Sequence, residues 1–520
     1  MNFNWIVDSV VAQVPTGDPD GIALNFDGEQ ALTYAELYDK SLRYAAALRE
    51  LGLEKGDRLA LLLFNCPEYV PLYMAAARLG AIPVRMNFRL AAPELGFILK
   101  DSGSKLAILH SSLLEKVEPV HQEVDAQRFI ALPDSDDPIP SWADPFDVLE
   151  GRDPLDPAAA PSIAPGDPLL LAYTSGTTGN PKGAIWTHDN TMQFGAMQAV
   201  KWGFTSRSVG LVPGPIYHCG AFEALLVGVL STHGTAVNIR SGNFSIEHLM
   251  SVAERAGATD ILLYSFMLNE LLRLPDPRAA LPQSVERLLV GGDTVMPWAF
   301  KQGRELLPGV ELFQLYGLTE GGAVTTVLDD DVVMDQPGCI GRPMPFCETK
   351  VMTEAGTETA VDEVGELWVR SPAVSIGYWN RPEANAKTFF DGWCKTGDLG
   401  SVNADGYIAL AGRAKDMIRS GAENIYPAEV EKILTDHEDV SDAAVIGVPD
   451  ERYIEVGCAV IVPAKGEIDE DALRVHCREY LAGYKIPKHF VTASELPRNA
   501  SGKVLKYVLK ERYAETAAAS

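Results

Sequence analysis

The sequence predicts a large layered α/β domain followed by a smaller α+β domain, and three observations carry that prediction. Between residues 33 and 88, helical and strand-like apolar patterns alternate, as in α/β layers. Three strand-like runs end in glycine-bearing loops, at 173–183, 290–294 and 316–322, and open α/β sheets bind their ligands at such strand ends. After residue 415 the order changes to helix, two strands, helix and a short strand, a run of about 100 residues and so the size of a small domain.

The elements follow in order. Thr33 and Glu36 in "LTYAEL" form a capping-box pattern, and Leu37, Tyr44, Leu48 and Leu51 then recur at helical spacing as far as Gly52. "RLALLLF" (58–64) reads as a buried strand, "EYVPLYMAAARLGA" (68–81) as a helix and "IPVRMNF" (82–88) as another strand. Residues 132–168 carry nine prolines and many aspartates, which makes them a loop or a connection between subdomains. "PLLLAYT" follows as a buried strand, and "IEHLMSVAERAGATDILLYSF" reads as helix then strand. "VERLLVGGDTV" reads as a strand and a Gly-Gly turn, and "ELFQLYG" as a strand running into "LTEGG". In the C-terminal part "PAEVEKILTDH" and "DEDALRVHCREYLAGY" are helical, with "VSDAAVIGVP" and "VGCAVIVPA" as strands between them. The boundary falls at "GRAKD" (412–416), where glycine and charge interrupt the apolar pattern, and divides the chain into 1–414 and 415–520. There is no internal repeat.

A chain of 520 residues exceeds one ordinary core. Its 47% apolar and 22% charged content is that of a soluble globular protein. With 44 basic against 71 acidic side chains the formal charge is −27, a surface that repels nucleic acid and anionic membranes. An anionic ligand must therefore be met by lysines and arginines acting locally. Seven scattered cysteines without a CxxC pair suit a reducing cytosol, and nine histidines without an HExxH or similar pairing argue against a protein-ligated zinc. The amino terminus lacks a basic n-region, and apolar runs such as "LALLLF" are too short to cross a bilayer. The expectation is a cytoplasmic enzyme with no integral membrane segment; assembly as a homo-oligomer is left open.

The stretch "LAYTSGTTGNPKGAIWTH" (171–188) is the densest chemical signal. Ser175, Thr177 and Thr178 supply hydroxyls, while Gly176, Gly179 and Gly183 let backbone N–H groups approach a ligand with no Cβ in the way. The spacing is not that of a Walker loop: Lys182 is followed by Gly183, and "AIWTH" reads as strand rather than helix. The reading is a phosphate cradle in a different fold, with Lys182 and the hydroxyls on the phosphates. A Gly/Ser/Thr surface turn is the competing reading.

"YTSGTTGNPKG", "YGLTE" (316–320), "WCKTGD" (393–398), "GRAKDMIRSGAENIYPAEVE" (412–431) and "PRNASGK" (497–503) occur in the order seen in the adenylate-forming superfamily. The chain resembles that superfamily, which includes acyl- and aryl-CoA synthetases, peptide-synthetase adenylation domains and luciferases, from "LTYAEL" to Lys503. The resemblance implies a mobile C-terminal domain and a set of roles. Thr174, Ser175, Gly176, Thr177, Thr178, Gly179 and Lys182 would cradle the β- and γ-phosphates of ATP, and Gly292, Asp293 and Gly317 would join the nucleotide site. Tyr316 is similar to the aromatic face under adenine, Thr319 to an α-phosphate donor and Glu320 to a Mg²⁺ ligand. Asp398 is similar to the aspartate that accepts the ribose hydroxyls, and Arg413 to its basic partner. Lys503 would stabilise charge as carboxylate oxygen meets phosphorus. Lys415 matches the hinge about which the small domain rotates, bringing in the "SGAEN" loop with Gly421 for coenzyme A. Read singly, each residue has a plainer role: Tyr316 in the core, Glu320 at a helix start, Asp398 in a turn, Arg413 and Lys503 as surface charges. One departure is Gly421-Ala422, where many relatives have Gly-Gly.

On the acid side, "GPIYHCGAFEA" places His218 where the resemblance puts an aromatic or histidine gate beside the carboxylate, a satisfied core histidine being the alternative. There is no aspartate here to pair with an amino group, which disfavours an α-amino acid. Gly220 and Ala221 would leave room in a mainly apolar pocket, Phe222 would limit it, and Tyr264 and Phe266 would reshape it. The implied activity is an ATP- and Mg²⁺-dependent acid:CoA ligase acting on a fatty, branched or aryl carboxylic acid. Its rivals are an acyl-AMP ligase loading a carrier protein in trans and, from another class, a non-catalytic nucleotide-binding homologue. Loss of Lys503, Glu320 or Asp398 would have favoured the last. Luciferase activity ranks below these.

Overall fold

The structure is a computed structural model. It describes residues 2–174, 181–242, 244–292, 295, 297–336, 338–413, 416–420, 423–450, 453–466, 468–498 and 503–518. Among these the strands form three sheets, of seven, fourteen and five strands.

The seven-stranded sheet runs in the order Ala143–Pro145, Arg128–Leu132, Ser104–His110, Arg58–Leu62, Ile82–Arg85, Pro168–Thr174, Lys182–Thr187. All neighbours are parallel except the last pair, an antiparallel hairpin. Interior parallel strands are covered on both faces and read as unbroken apolar runs. Leu169, Leu170 and Leu171 are accordingly all fully buried, which is why "PLLLAYT" shows no alternation. The proline-rich stretch is mostly loop, but Ala143–Pro145 adds the sheet's edge strand.

Helix Tyr34–Glu50 starts from the predicted capping box. The Glu36 amide donates to the Thr33 hydroxyl at 3.1 Å, and the Thr33 amide to Glu36 Oε2 at 2.8 Å. Helix Tyr69–Leu79 stops at Gly80, which takes a left-handed φ of 66°.

The fourteen-stranded sheet has a parallel half from Ile22–Phe26 through Thr235–Asn238, Val209–Val212, Asp260–Tyr264 and Arg287–Gly291 to Glu311–Leu318. An antiparallel half continues through Gly322–Leu328, Cys339–Pro343, Ile408–Arg413, Trp393–Val402 and Gly365–Arg370 to Glu348–Met352. One reading is corrected here. The strand expected over "DILLYSF" ends at Tyr264, and helix Ser265–Leu272 begins at the next residue, so Phe266 is helical. The two large sheets are stitched together near residue 183. The Ile185 amide donates to the Gly377 carbonyl at 2.8 Å, the Trp379 amide to the Gly183 carbonyl at 2.8 Å, and Ala184 bridges Tyr378.

The C-terminal sheet is built on the hairpin Val440–Asp450 and Ile454–Pro463. Its side chains alternate between two cores, as the period of a strand requires. Ala443 and Val445 pack with Val430, Leu434, Leu473 and Cys477, residues of helices Pro427–Thr435 and Glu470–Tyr480. Ala444, Ile446 and Val448 face the other way onto Leu509 of helix Lys506–Ala518, an element the sequence reading left unassigned. The expected boundary at 414/415 lies outside the described residues.

Candidate active site

The hairpin expected to cradle phosphate closes on the pair Thr174 and Lys182, the last in register between Pro168–Thr174 and Lys182–Thr187. Ser175, Gly176, Thr177, Thr178 and Gly179 lie outside the described residues. What the hairpin ends do is visible. The Thr174 hydroxyl donates to Glu320 Oε1 at 3.2 Å, and the buried Trp186 indole N–H donates to the Thr319 carbonyl at 2.9 Å. Two of the three predicted glycine loops therefore meet. The Glu320 carbonyl is held in turn by the Ser375 amide at 2.9 Å.

Tyr378 completes this corner, and the sequence reading missed it. Its hydroxyl donates to Glu320 Oε1 at 2.8 Å, and its ring lies 5.0 Å below the Lys182 ammonium. Lys182, Arg381, Glu383 and Lys387 line one open groove here, with Arg381 paired to Asp101. On the inner side the Thr319 hydroxyl lies 3.0 Å from the Cys219 sulfur. Burial pushes the Cys219 thiol up to about 12, so it stays a neutral partner and does not compete as a nucleophile.

A second cluster forms where Trp393–Val402 pairs with Ile408–Arg413, with Asp398 opposite Arg413. Arg413 Nε meets Asp398 Oδ1 at 2.7 Å, and the Tyr316 hydroxyl donates to Asp398 Oδ2 at 2.6 Å. Burial, and then the Asp398 charge, holds the Tyr316 phenol well above its usual value, so it remains a donor. Each carboxylate oxygen keeps a further lone pair for a ligand hydroxyl. Gly317 has a backbone reason to be glycine: a Cβ there would lie 2.3 Å from the Ala323 carbonyl oxygen, across the hairpin to Gly322–Leu328. Gly292 takes a φ of 87°, which favours glycine, and Asp293 lies outside the described residues.

His218 is held by its own turn. The Gly220 amide donates to Nδ1 at 3.0 Å, which leaves the proton of the neutral ring on Nε2. Burial first, and then the Arg85 charge, pushes its pKa down to about 4, so the imidazole is neutral at ordinary pH. Two expectations are corrected. Ala221 is fully buried and Phe222 is 1% exposed, its ring edge-on to Tyr73 at 5.8 Å and 5.9 Å from the Arg85 guanidinium. These side chains fill the core behind His218 rather than shaping an open pocket. The apolar run "AFEALL" gave no sign of which use it served.

Lys503 is exposed, next to Val504, which forms an antiparallel bridge with Arg498. Lys415 and Gly421 lie outside the described residues, as does Ala422. No group of three or more His, Cys, Asp or Glu able to hold a metal occurs among the described residues. Glu320 and the Thr174 hydroxyl are hard oxygen donors of the type magnesium takes. They fit an ion held mainly by phosphate oxygens and water, with Glu320 as its protein ligand. No helix among the described residues is long and apolar enough to cross a membrane.

The AMP-binding enzyme family model matches residues 11–379, and the model of the AMP-binding enzyme C-terminal domain matches residues 429–503. The chain is 38% identical to a feruloyl-CoA synthase of an Amycolatopsis species, over 94% of this chain and 95% of that protein. It is 35% identical to the long-chain-fatty-acid–CoA ligase FadD13 of Mycobacterium tuberculosis, over 93% and 94%. The o-succinylbenzoate CoA synthetase (MenE) of Bacillus subtilis, in complex with the acyl-adenylate intermediate OSB-AMP, superposes with a TM-score of 0.85 at 32% identity over 98% of both chains. That enzyme in complex with ATP and magnesium ion superposes with a TM-score of 0.84 at 32% identity, over 98% of this chain and 99% of its own. With matched models over most of its length and relatives of this identity along nearly all of it, the chain belongs to the AMP-binding enzyme family, the adenylate-forming superfamily.

Proposed function

We propose that this chain is an ATP- and Mg²⁺-dependent acid:CoA ligase for a fatty, branched or aryl carboxylic acid, working in the cytoplasm. The observation that carries the reading is the meeting of Thr174, Thr319 and Glu320 at the open end of the phosphate-cradle hairpin. A carboxylate oxygen of the acid attacks the α-phosphorus of ATP, and pyrophosphate leaves. The thiol of coenzyme A then attacks the acyl carbon, its proton is lost to solvent, and AMP leaves with the mixed-anhydride oxygen.

In the first step Lys182 and the 174–179 loop hold the β- and γ-phosphates, and Thr319 donates to the α-phosphate. Glu320 would hold magnesium, which would supply neutralising charge for the departing pyrophosphate. Asp398 and Arg413 hold the ribose with Tyr316 beside the base, and Gly292, Asp293 and Gly317 border the nucleotide. His218 as a neutral imidazole adds no positive charge that would trap the acid's carboxylate. Residues 1–414 form the AMP- and acid-binding domain and 415–520 the mobile one. Lys503 supplies charge for adenylation, and rotation about Lys415 exchanges it for the loop containing Gly421, along which coenzyme A passes.

Pyrophosphate release against a panel of acids, with and without coenzyme A, tests the reading. Release that requires an acid, and a thioester that requires coenzyme A, support it. Release without any thioester in the presence of coenzyme A would point to a carrier protein as acceptor. No release with any acid would overturn it.

A further inference from the structure

Thr319 is fixed through its backbone but not through its hydroxyl. The fully buried Trp186 indole N–H donates to its carbonyl at 2.9 Å, and the Ser375 amide donates to the next carbonyl, that of Glu320, at 2.9 Å. What the backbone leaves open is the side-chain rotamer, which decides where the hydroxyl sits. The hydrogen-bond partner of that hydroxyl among the described residues is the Cys219 thiol, 3.0 Å away, on a residue 100 positions earlier. Both side chains are buried, Thr319 at 8% and Cys219 at 3% exposure.

An irregular turn holds the thiol there. The Cys219 carbonyl accepts from the Ala224 amide, five residues on, at 3.0 Å, and the π-helix Phe222–Leu226 follows. Such i→i+5 turns are rare and recur at functional sites. Glu223 within this one is braced twice: the Gln198 side-chain amide donates to its carbonyl at 2.7 Å, and Arg85 meets its carboxylate at 2.7 Å, all three residues being buried. His218 and Cys219 are thus neighbours on one braced turn, the second of them seated on Thr319.

The count of protons sets the direction of the contact. Burial pushes the Cys219 thiol up to about 12, so the sulfur carries its proton at neutral pH. A phosphate oxygen only accepts. With the α-phosphate in place the Thr319 hydroxyl donates to it, and its oxygen is left to accept from the thiol. The S–H to Oγ1 bond and the O–H to phosphate bond form a short chain in which each polarises the other.

We propose that Cys219 is a positioning residue for adenylation: its thiol donates to Thr319 Oγ1 and so turns the Thr319 proton onto the α-phosphate. The proposal rests on the ligase reading above, in which Thr319 is the α-phosphate donor. No bond to sulfur forms or breaks.

The test is a double-mutant cycle on the single-turnover rate of acid-dependent pyrophosphate release. Cys219→Ala should lower that rate about 5- to 10-fold, the scale of one neutral hydrogen bond, with KM for ATP and for the acid within about 2-fold of the parent. Cys219→Ser keeps a donor and should retain most of the rate. Thr319→Val should lower the rate at least as far as Cys219→Ala does, and adding Cys219→Ala to it should change nothing more, because the thiol then has no hydroxyl to turn. Denaturant midpoints report the folding of each variant; a thiol that only packs would lower them without making the two rate losses non-additive. Rate losses that multiply in the double variant, a parent rate in Cys219→Ala, or Cys219→Ser falling as low as Cys219→Ala would overturn the proposal and leave the ligase reading intact. No acid-dependent release from the parent would overturn the ligase reading, and the proposal with it.

Discussion

The Tyr378 hydroxyl donates to Glu320 Oε1 at 2.8 Å while its ring supports the Lys182 ammonium at 5.0 Å. One side chain thus orients both a carboxylate suited to magnesium and a cation suited to phosphate. Tyr378 can do so because residues 376–379 lie along Lys182–Thr187, through the Ile376, Ile185 and Trp379 amides.

Separate losses are expected from that double role. Tyr378→Phe keeps the ring and removes a hydrogen bond to a charged acceptor, a change of about 1.5–3 kcal/mol. It should raise the Mg²⁺ concentration needed for half-maximal pyrophosphate release by roughly 10-fold, with a smaller change in KM for ATP. Tyr378→Leu also removes the cation–π contact, worth about 0.5–2 kcal/mol, and should raise KM for ATP further. A Tyr378→Phe variant with an unchanged magnesium titration would show that Glu320 is oriented by Thr174 and the backbone alone.

Asp398 is shared between Tyr316 and Arg413, at 2.6 and 2.7 Å. Asp398→Asn keeps the shape but gives up the charge, and should lower kcat/KM for ATP about 10- to 100-fold, with the loss in KM rather than in the acid's KM. Steady-state titration of each substrate distinguishes the two. A loss confined to the acid would move the ribose elsewhere.

How far the sequence reaches is clear from which contacts are local. The capping box of Thr33 and Glu36 and the buried strand that begins at Pro168 were legible because their causes lie within a few residues. Asp398 and Arg413, opposite each other across a hairpin, were singled out through motifs rather than through any visible pairing. Tyr378 escaped because its partners Glu320 and Lys182 are 58 and 196 positions away, and nothing in "SIGYWN" signals either one. Ala221 and Phe222 were misplaced because an apolar run suits a core and a ligand pocket equally well. The packing of Phe222 against Tyr73 and Arg85 decided between them, not the composition.

Buried histidines predict an acid limb of stability. His188 is fully buried, its Nδ1 accepts from the Phe3 amide at 3.1 Å, and burial pushes its pKa down to about 4. The unfolded chain, with histidine near 6.5, takes up a proton below that pH that the folded chain does not. Stability from this residue is therefore complete above about pH 6.5 and is lost as pH falls towards 4, by on the order of 2–3 kcal/mol. His218 acts in the same direction. Denaturant midpoints at pH 7.5 and pH 5 should differ less in His188→Asn than in the parent; an equal difference would assign the limb to other groups.

Lys503→Ala should separate the two half-reactions. Loss of one preorganised charge is expected to slow adenylation about 10²-fold or more, while thioester formation from supplied acyl-adenylate continues. Single-turnover measurement of each step on one preparation checks this. Equal loss in both would mean that Lys503 serves the fold or both poses, rather than adenylation.

The ion pair behind His218 allows stability and activity to be pulled apart. Arg85 Nη2 meets Glu223 Oε2 at 2.7 Å with both side chains buried, and Nη1 donates to the Ile216 carbonyl at 2.9 Å, two residues before His218. The Tyr73 and Phe222 rings lie 5.5 and 5.9 Å from the guanidinium. Glu223→Gln leaves a buried cation without its counter-charge and should cost about 3–5 kcal/mol, whereas replacing both partners with apolar side chains of similar volume is often neutral or better. The double variant Arg85→Met, Glu223→Leu should therefore recover most of the denaturant midpoint lost in Glu223→Gln. It should not recover the acid's kcat/KM, because the Ile216 carbonyl has lost its donor and the His218 turn its anchor. If the double variant regains activity along with stability, the pair only fills space; if it regains neither, the two charges are part of the fold's specification and not exchangeable for packing.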